Sequence, residues 1–127
     1  MNSKNIIQTS GAPEAIGPYS QAVVHASTVY CSGQIGLDPV TGALVPGGVE
    51  AQAVRVMDNL EAVLAEAGSG FDRVLKCSIF LGDMDDFATV NEIYGRYFVS
   101  NPPAREAVAV KTLPKNALVE ISCIASL

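Results

Sequence analysis

At 127 residues the chain is one domain, 1–127, and its 17% charged against 49% hydrophobic residues leave little charge to cover the surface of an ordinary core. That balance predicts an apolar patch buried by self-association. Thirteen acidic against eight basic residues give a net charge of -5 without a basic cluster, which argues against a nucleic-acid groove, and no apolar run approaches the ~18 residues of a membrane span.

The stretch 1–8 lacks the apolar centre of a leader peptide, and Cys31, Cys77 and Cys123 lie in apolar, strand-like segments with no CxxC pair. These predict buried thiols in a soluble protein of the cytoplasm or an organelle matrix. The cysteines fall 46 residues apart (31, 77, 123), but the flanking sequence does not repeat at that period and the spacing reads as chance.

In chain order, residues 21–25 and 28–32 are Val- and Tyr-rich runs separated by Ala26-Ser27, which predicts a meander of strands ended by Gly33. Asp38-Pro39-Val40-Thr41-Gly42 and Pro46-Gly47-Gly48 mark a loop. Over 49–67 the apolar residues Ala53, Val56, Met57, Leu60, Val63, Leu64 and Ala67 recur at steps of three and four, an amphipathic helix stopped by Gly68-Ser69-Gly70. Residues 74–81 read as a central strand. Asp83, Asp85 and Asp86 precede a second helical pattern of Phe87, Val90, Ile93, Tyr94 and Tyr97; capping of that helix outweighs cation binding as their role. Two last strands, 106–111 and 118–125, flank Leu113-Pro114-Lys115-Asn116. The order predicts an α+β fold with both helices on one face of one sheet.

Two residues stand out chemically. Arg105 opens a largely apolar strand directly after Pro102-Pro103-Ala104, and a held guanidinium is a rigid fork matched to a carboxylate; a plain surface ion pair is the competing reading. Glu120 interrupts the last strand on its mixed face, opposite the apolar face of Val119, Ile121, Cys123 and Ala125. If Pro114-Lys115 is a two-residue turn joining a hairpin, Arg105 opposes Ile124, Glu120 opposes Ala109, and the two charges share a face about 13 Å apart. Glu106, next to Arg105, points to the other face. His25 is the only histidine and no GxxxxGK[ST] or GxGxxG is present, so acid-base work falls to a carboxylate, tyrosine or lysine.

Ala15-Ile16-Gly17-Pro18-Tyr19-Ser20-Gln21-Ala22, Ser32-Gly33-Gln34-Ile35, Gln52, Asp58-Asn59-Leu60, Asp86-Phe87-Ala88-Thr89-Val90-Asn91, Pro103-Ala104-Arg105, Leu113-Pro114-Lys115 and Val119-Glu120-Ile121 together resemble the RidA (YjgF) family of reactive-intermediate deaminases, nearly end to end. The resemblance implies a chorismate-mutase-like α+β fold, with one mixed sheet, two helices on one face, and a homotrimeric barrel with clefts between subunits. It implies cofactor-independent, metal-free hydrolysis of 2-imino acids to 2-keto acids and ammonia, with small 2-imino and 2-keto carboxylates as ligands and neither nucleic acid nor membrane as partner. By position, Arg105 would clamp the substrate carboxylate and Glu120 would activate water. Tyr19, Ser32, Gly33, Asn91 and the backbone at Ala107 would line the cleft. Glu106 and Ala107 depart from a small hydroxyl residue and a frequent cysteine at these places. A noncatalytic ligand-binding or chaperone-like trimer and an endoribonuclease are the rival readings.

Overall fold

The meander forms as expected in the computed structural model, which describes residues 3–127, so that the first two residues of the stretch 1–8 lie outside the described residues. Strands β2 (Ala22–His25) and β3 (Thr28–Ile35) pair antiparallel around Ala26-Ser27, and a strand not expected from the sequence, β1 (Asn5–Ile7), adds to the outside of β2. Strand β3 runs past Gly33 instead of ending there, because a register shift against its neighbour between Cys31 and Gln34 absorbs Ser32 and Gly33 as a bulge.

Helix α1 (Gly48–Glu66) buries Ala53, Val56, Met57, Leu60, Val63 and Leu64, the stripe its periodicity marks out. Gly68, at φ 86°, lets Ser69 N–H donate back to Leu64 O at 2.8 Å and Gly68 N–H to Ala65 O at 3.0 Å, which terminates the helix. Strand β4 (Val74–Leu81) follows. Asp83 accepts from the Asp85 N–H at 2.8 Å, capping a single 3₁₀ turn, Met84–Asp86, that leads into helix α2 (Phe87–Gly95). The capping thus falls on the 3₁₀ turn, and α2 itself has no side-chain cap.

Strands β5 (Ala104–Ala109) and β6 (Val119–Ser126) complete one mixed sheet in the order β1-β2-β3-β6-β4-β5, parallel only between β4 and β5. On its helix side Cys77, Ile79 and Leu81 of β4 and Val119, Ile121, Cys123 and Ala125 of β6 join the core, each large apolar side chain contributing about 1.5–3 kcal/mol by leaving water. Cys31, Cys123 and Cys77 are cross-strand partners in one row, set by the register of the three strands.

The expected β5–β6 hairpin is not formed. Strand β4 separates the two, with Val110 N–H donating to Leu81 O on one side and Gly82 N–H to Leu118 O on the other. Burial explains the placement: β6 is buried or half-buried along its whole length and suits the sheet interior, whereas β5 is exposed at all but Ala107 and suits an edge. Between them the chain passes through buried Leu113 and the turn at Pro114–Asn116.

Candidate active site

The pairing of β4 with both neighbours fixes where the two charged candidates point. Arg105 is opposite Cys77 and Glu120 is opposite Phe80. Directly paired residues share a face, so Arg105 lies on the helix side and Glu120 on the open side, correcting the shared face and the 13 Å separation expected from a hairpin. Two strand spacings sideways and three residues along leave their backbones about 14 Å apart, with side chains diverging.

Helix α2 holds Arg105. Phe87, Asn91 and Tyr94 lie on one side of it at steps of four and three. Asn91 Oδ1 accepts from the guanidinium Nη1 at 2.6 Å, and the guanidinium carbon stands 5.5 Å from the Phe87 ring centre and 5.1 Å from that of Tyr94. Asn91 uses only one edge of the fork, leaving other N–H groups for a ligand. Tyr94 is buried, its hydroxyl has no hydrogen-bond partner, and burial raises its pKa, with Cys77 adding to the effect. Ala107 faces the same side from β5, half-buried against the core. Glu106 turns the other way, as expected, where it accepts from the Ser78 hydroxyl and meets Lys76 Nζ at 3.3 Å. The Ser78 hydrogen bond, then Lys76, holds its carboxyl below the usual range.

Glu120 belongs to a separate cavity of about 630 Å³ that also contains Tyr19, Ser32 and Gly33. Gly33 is there for space: a Cβ on it would come within 2.9 Å of the Glu120 carboxyl carbon, so the carboxylate lies against the bare backbone of the β3 bulge. Burial pushes the Glu120 pKa up. The Ser32 hydroxyl donates to Ser20 O at 2.6 Å and its N–H to Gln21 O at 3.0 Å, anchoring the segment that presents half-exposed Tyr19. Gln21, buried, fixes the same segment from behind, with Nε2 donating to Thr9 O at 3.0 Å and Pro13 O at 2.9 Å while Oε1 accepts from Thr9 N–H at 2.7 Å.

The seven residues therefore fall into two groups within one chain. Tyr19, Ser32, Gly33 and Glu120 form one, and Asn91, Arg105 and Ala107 the other. Phe87 and Tyr94, which steady the guanidinium, were read from sequence only as core positions of a helix. Their four-and-three spacing with Asn91 was the available signal, but it does not announce which strand residue the helix will meet. One group carries a carboxylate able to take a proton, and the other a fork able to hold an anion.

Residues 9–127 match the family described as Endoribonuclease L-PSP. Protein DfrA of Myxococcus xanthus is 55% identical over 125 residues, covering 97% of this chain and 95% of that protein. The 2-iminobutanoate/2-iminopropanoate deaminase of Mus musculus is 52% identical over 122 residues, covering 96% and 90%. The crystal structure of E. coli TdcF with bound serine superposes with a TM-score of 0.92 at 40% identity, covering 97% of this chain and 98% of that one. The chain belongs to the Endoribonuclease L-PSP family, the RidA or YjgF family that its motifs resemble.

Proposed function

We propose that the protein hydrolyses small 2-imino acids, and the enamines that tautomerise to them, to 2-keto acids and ammonia without a cofactor, as a homotrimer whose clefts lie between subunits. The observation that carries this reading is the division of the site: a ready carboxylate clamp on one exposed edge strand, and a proton-accepting carboxylate in a cavity elsewhere on the same chain. A neighbouring copy bringing its Arg105 group to the Glu120 cavity makes a complete site. The relative named as a 2-iminobutanoate/2-iminopropanoate deaminase and the TdcF structure holding serine, an amino acid carboxylate, support that chemistry.

Arg105 binds the substrate carboxylate through the N–H edges that Asn91 leaves free, and so fixes the adjacent imine carbon. Ionised Glu120 takes a proton from water as the oxygen adds to C2 of the protonated imine. Glu120 then returns the proton to the carbinolamine nitrogen, ammonia leaves as C=O forms, and the hydroxyl proton passes to the Glu120 carboxylate and on to ammonia, which departs as ammonium. Hydrolysis consumes one water and changes no oxidation state. Three thiols held in the core suit a reducing compartment, the cytoplasm or an organelle matrix. The endoribonuclease reading is disfavoured by the net charge of -5, and single small cavities with few cations do not track a phosphate backbone.

Ammonia release is measured with a dehydratase generating 2-aminoacrylate or 2-iminobutyrate in situ. The protein is expected to accelerate release. Arg105→Lys is expected to lose about 30- to 1,000-fold in kcat/KM, nearly as much as Arg105→Ala, because a point charge does not replace a two-pronged fork. Parent-level hydrolysis by Arg105→Ala would overturn the reading.

A further inference from the structure

The Glu120 cavity has a charge problem. Two carboxylates, Glu14 and Glu120, line it on a chain of net charge -5, and the ligand proposed for it is an anion. Lys115 is the only cation among its described lining residues. It forms no ion pair among the described residues, so its ammonium is uncommitted.

The backbone that presents Lys115 is an unusual one for this residue. Asn116 N–H donates to Leu113 O and Ala117 N–H to Pro114 O, each at 3.0 Å, making two overlapping turns. Both turns place Lys115 at a position of positive φ, 57°, followed by Asn116 at 54°. Glycine and asparagine enter this region readily, whereas a lysine has no side-chain hydrogen bond to offset the contact of its Cβ with the backbone. Asn116 is therefore the expected residue for its place and Lys115 is not. Strain retained at the mouth of a cavity points to the side chain it delivers.

We infer that Lys115 is the capture residue of the Glu120 cavity, drawing anionic substrates past Glu14 and Glu120 and selecting them over neutral analogues of the same shape. This rests on the reading of the cavity as half of a carboxylate site. The ammonium acts before Arg105 takes the carboxylate and partly cancels the repulsion from Glu120. Its influence passes through water and is screened by salt.

The test is calorimetric binding of 2-ketobutyrate and of its uncharged amide to the parent and to Lys115→Met, Lys115→Arg and Lys115→Asn, at about 50 mM and about 500 mM salt. Lys115→Met and Lys115→Asn are expected to weaken 2-ketobutyrate binding about three- to tenfold at low salt. The loss should shrink at high salt, spare the amide, and be rescued by Lys115→Arg to within about twofold. Lys115→Asn should also melt no lower than the parent, since asparagine suits the left-handed position, and that separates lost capture from lost folding. Parent-level affinity in Lys115→Met at low salt, or an equal loss for the amide, would overturn the inference. A parent that binds the keto acid but releases no ammonia from imines would sink the deaminase reading and leave Lys115 standing. A parent that binds no keto acid would sink both.

Discussion

Glu120 is placed by what its neighbours lack. Gly33 has no side chain, the β3 bulge withdraws the ladder there, and no cation among the described residues shifts the carboxyl downward; burial alone acts on it, and upward. A raised folded pKa means that the fold favours the protonated form. The associated stability is complete below the unfolded value and is lost as pH rises through the folded one. Glu120→Gln imitates the protonated form, so it should melt higher than the parent at about pH 7.5 and at the same temperature at about pH 3. Its turnover should be low at every pH, whereas parent turnover should fall as pH drops through the raised Glu120 pKa. Calorimetric melting and a pH-rate profile check both, and a Gln variant that melts lower than the parent at neutral pH would show that attraction, such as that of a neighbouring subunit's Arg105, outweighs burial.

At the scale of elements, the two-residue connection between β2 and β3 carries a strain that its sequence did not advertise. Ala26 and Ser27 sit at φ 49° and 67°, the arrangement of a type I′ hairpin turn, without asparagine or glycine at either place. Ala26→Asn with Ser27→Gly should therefore stabilise the protein by about 0.5–1 kcal/mol, read as a higher midpoint in urea at unchanged slope. The hairpin itself was legible because Val- and Tyr-rich runs flank it, as was α1, whose apolar steps and glycine stop are local signals. The position of β5 was not legible. A turn at Pro114-Lys115 looks the same in sequence whether it joins neighbouring strands or lets the chain pass over to the far side of β4. Because side chains alternate with every residue, that one wrong pairing reversed the relation of Arg105 to Glu120. Alternation within β6 was right, and it put Glu120 on the mixed face and Val119 and Ile121 in the core. Arg105 and Glu120 stood out from their strand context and the remaining site residues came from motif resemblance; their division into two groups, and the Phe87 and Tyr94 support of Arg105, depend on contacts between elements far apart in the chain.

At the scale of the molecule, a chain short of surface charge leaves one face of its sheet without helices and ends that sheet on an exposed strand, β5, which carries Arg105. Association that covers this edge would complete the proposed site and remove an open strand from solvent in one step. The central claim is that each site takes Arg105 from one subunit and Glu120 from another, and complementation tests it most directly. Arg105→Ala and Glu120→Gln chains, each nearly inactive alone, are co-expressed and purified as mixed assemblies through different tags. A mixed trimer of either composition pairs an intact Arg105 with an intact Glu120 at one of its three sites, so imine hydrolysis should return to about a third of the parent rate. Mixed assemblies no more active than the two variants apart would contradict a shared site.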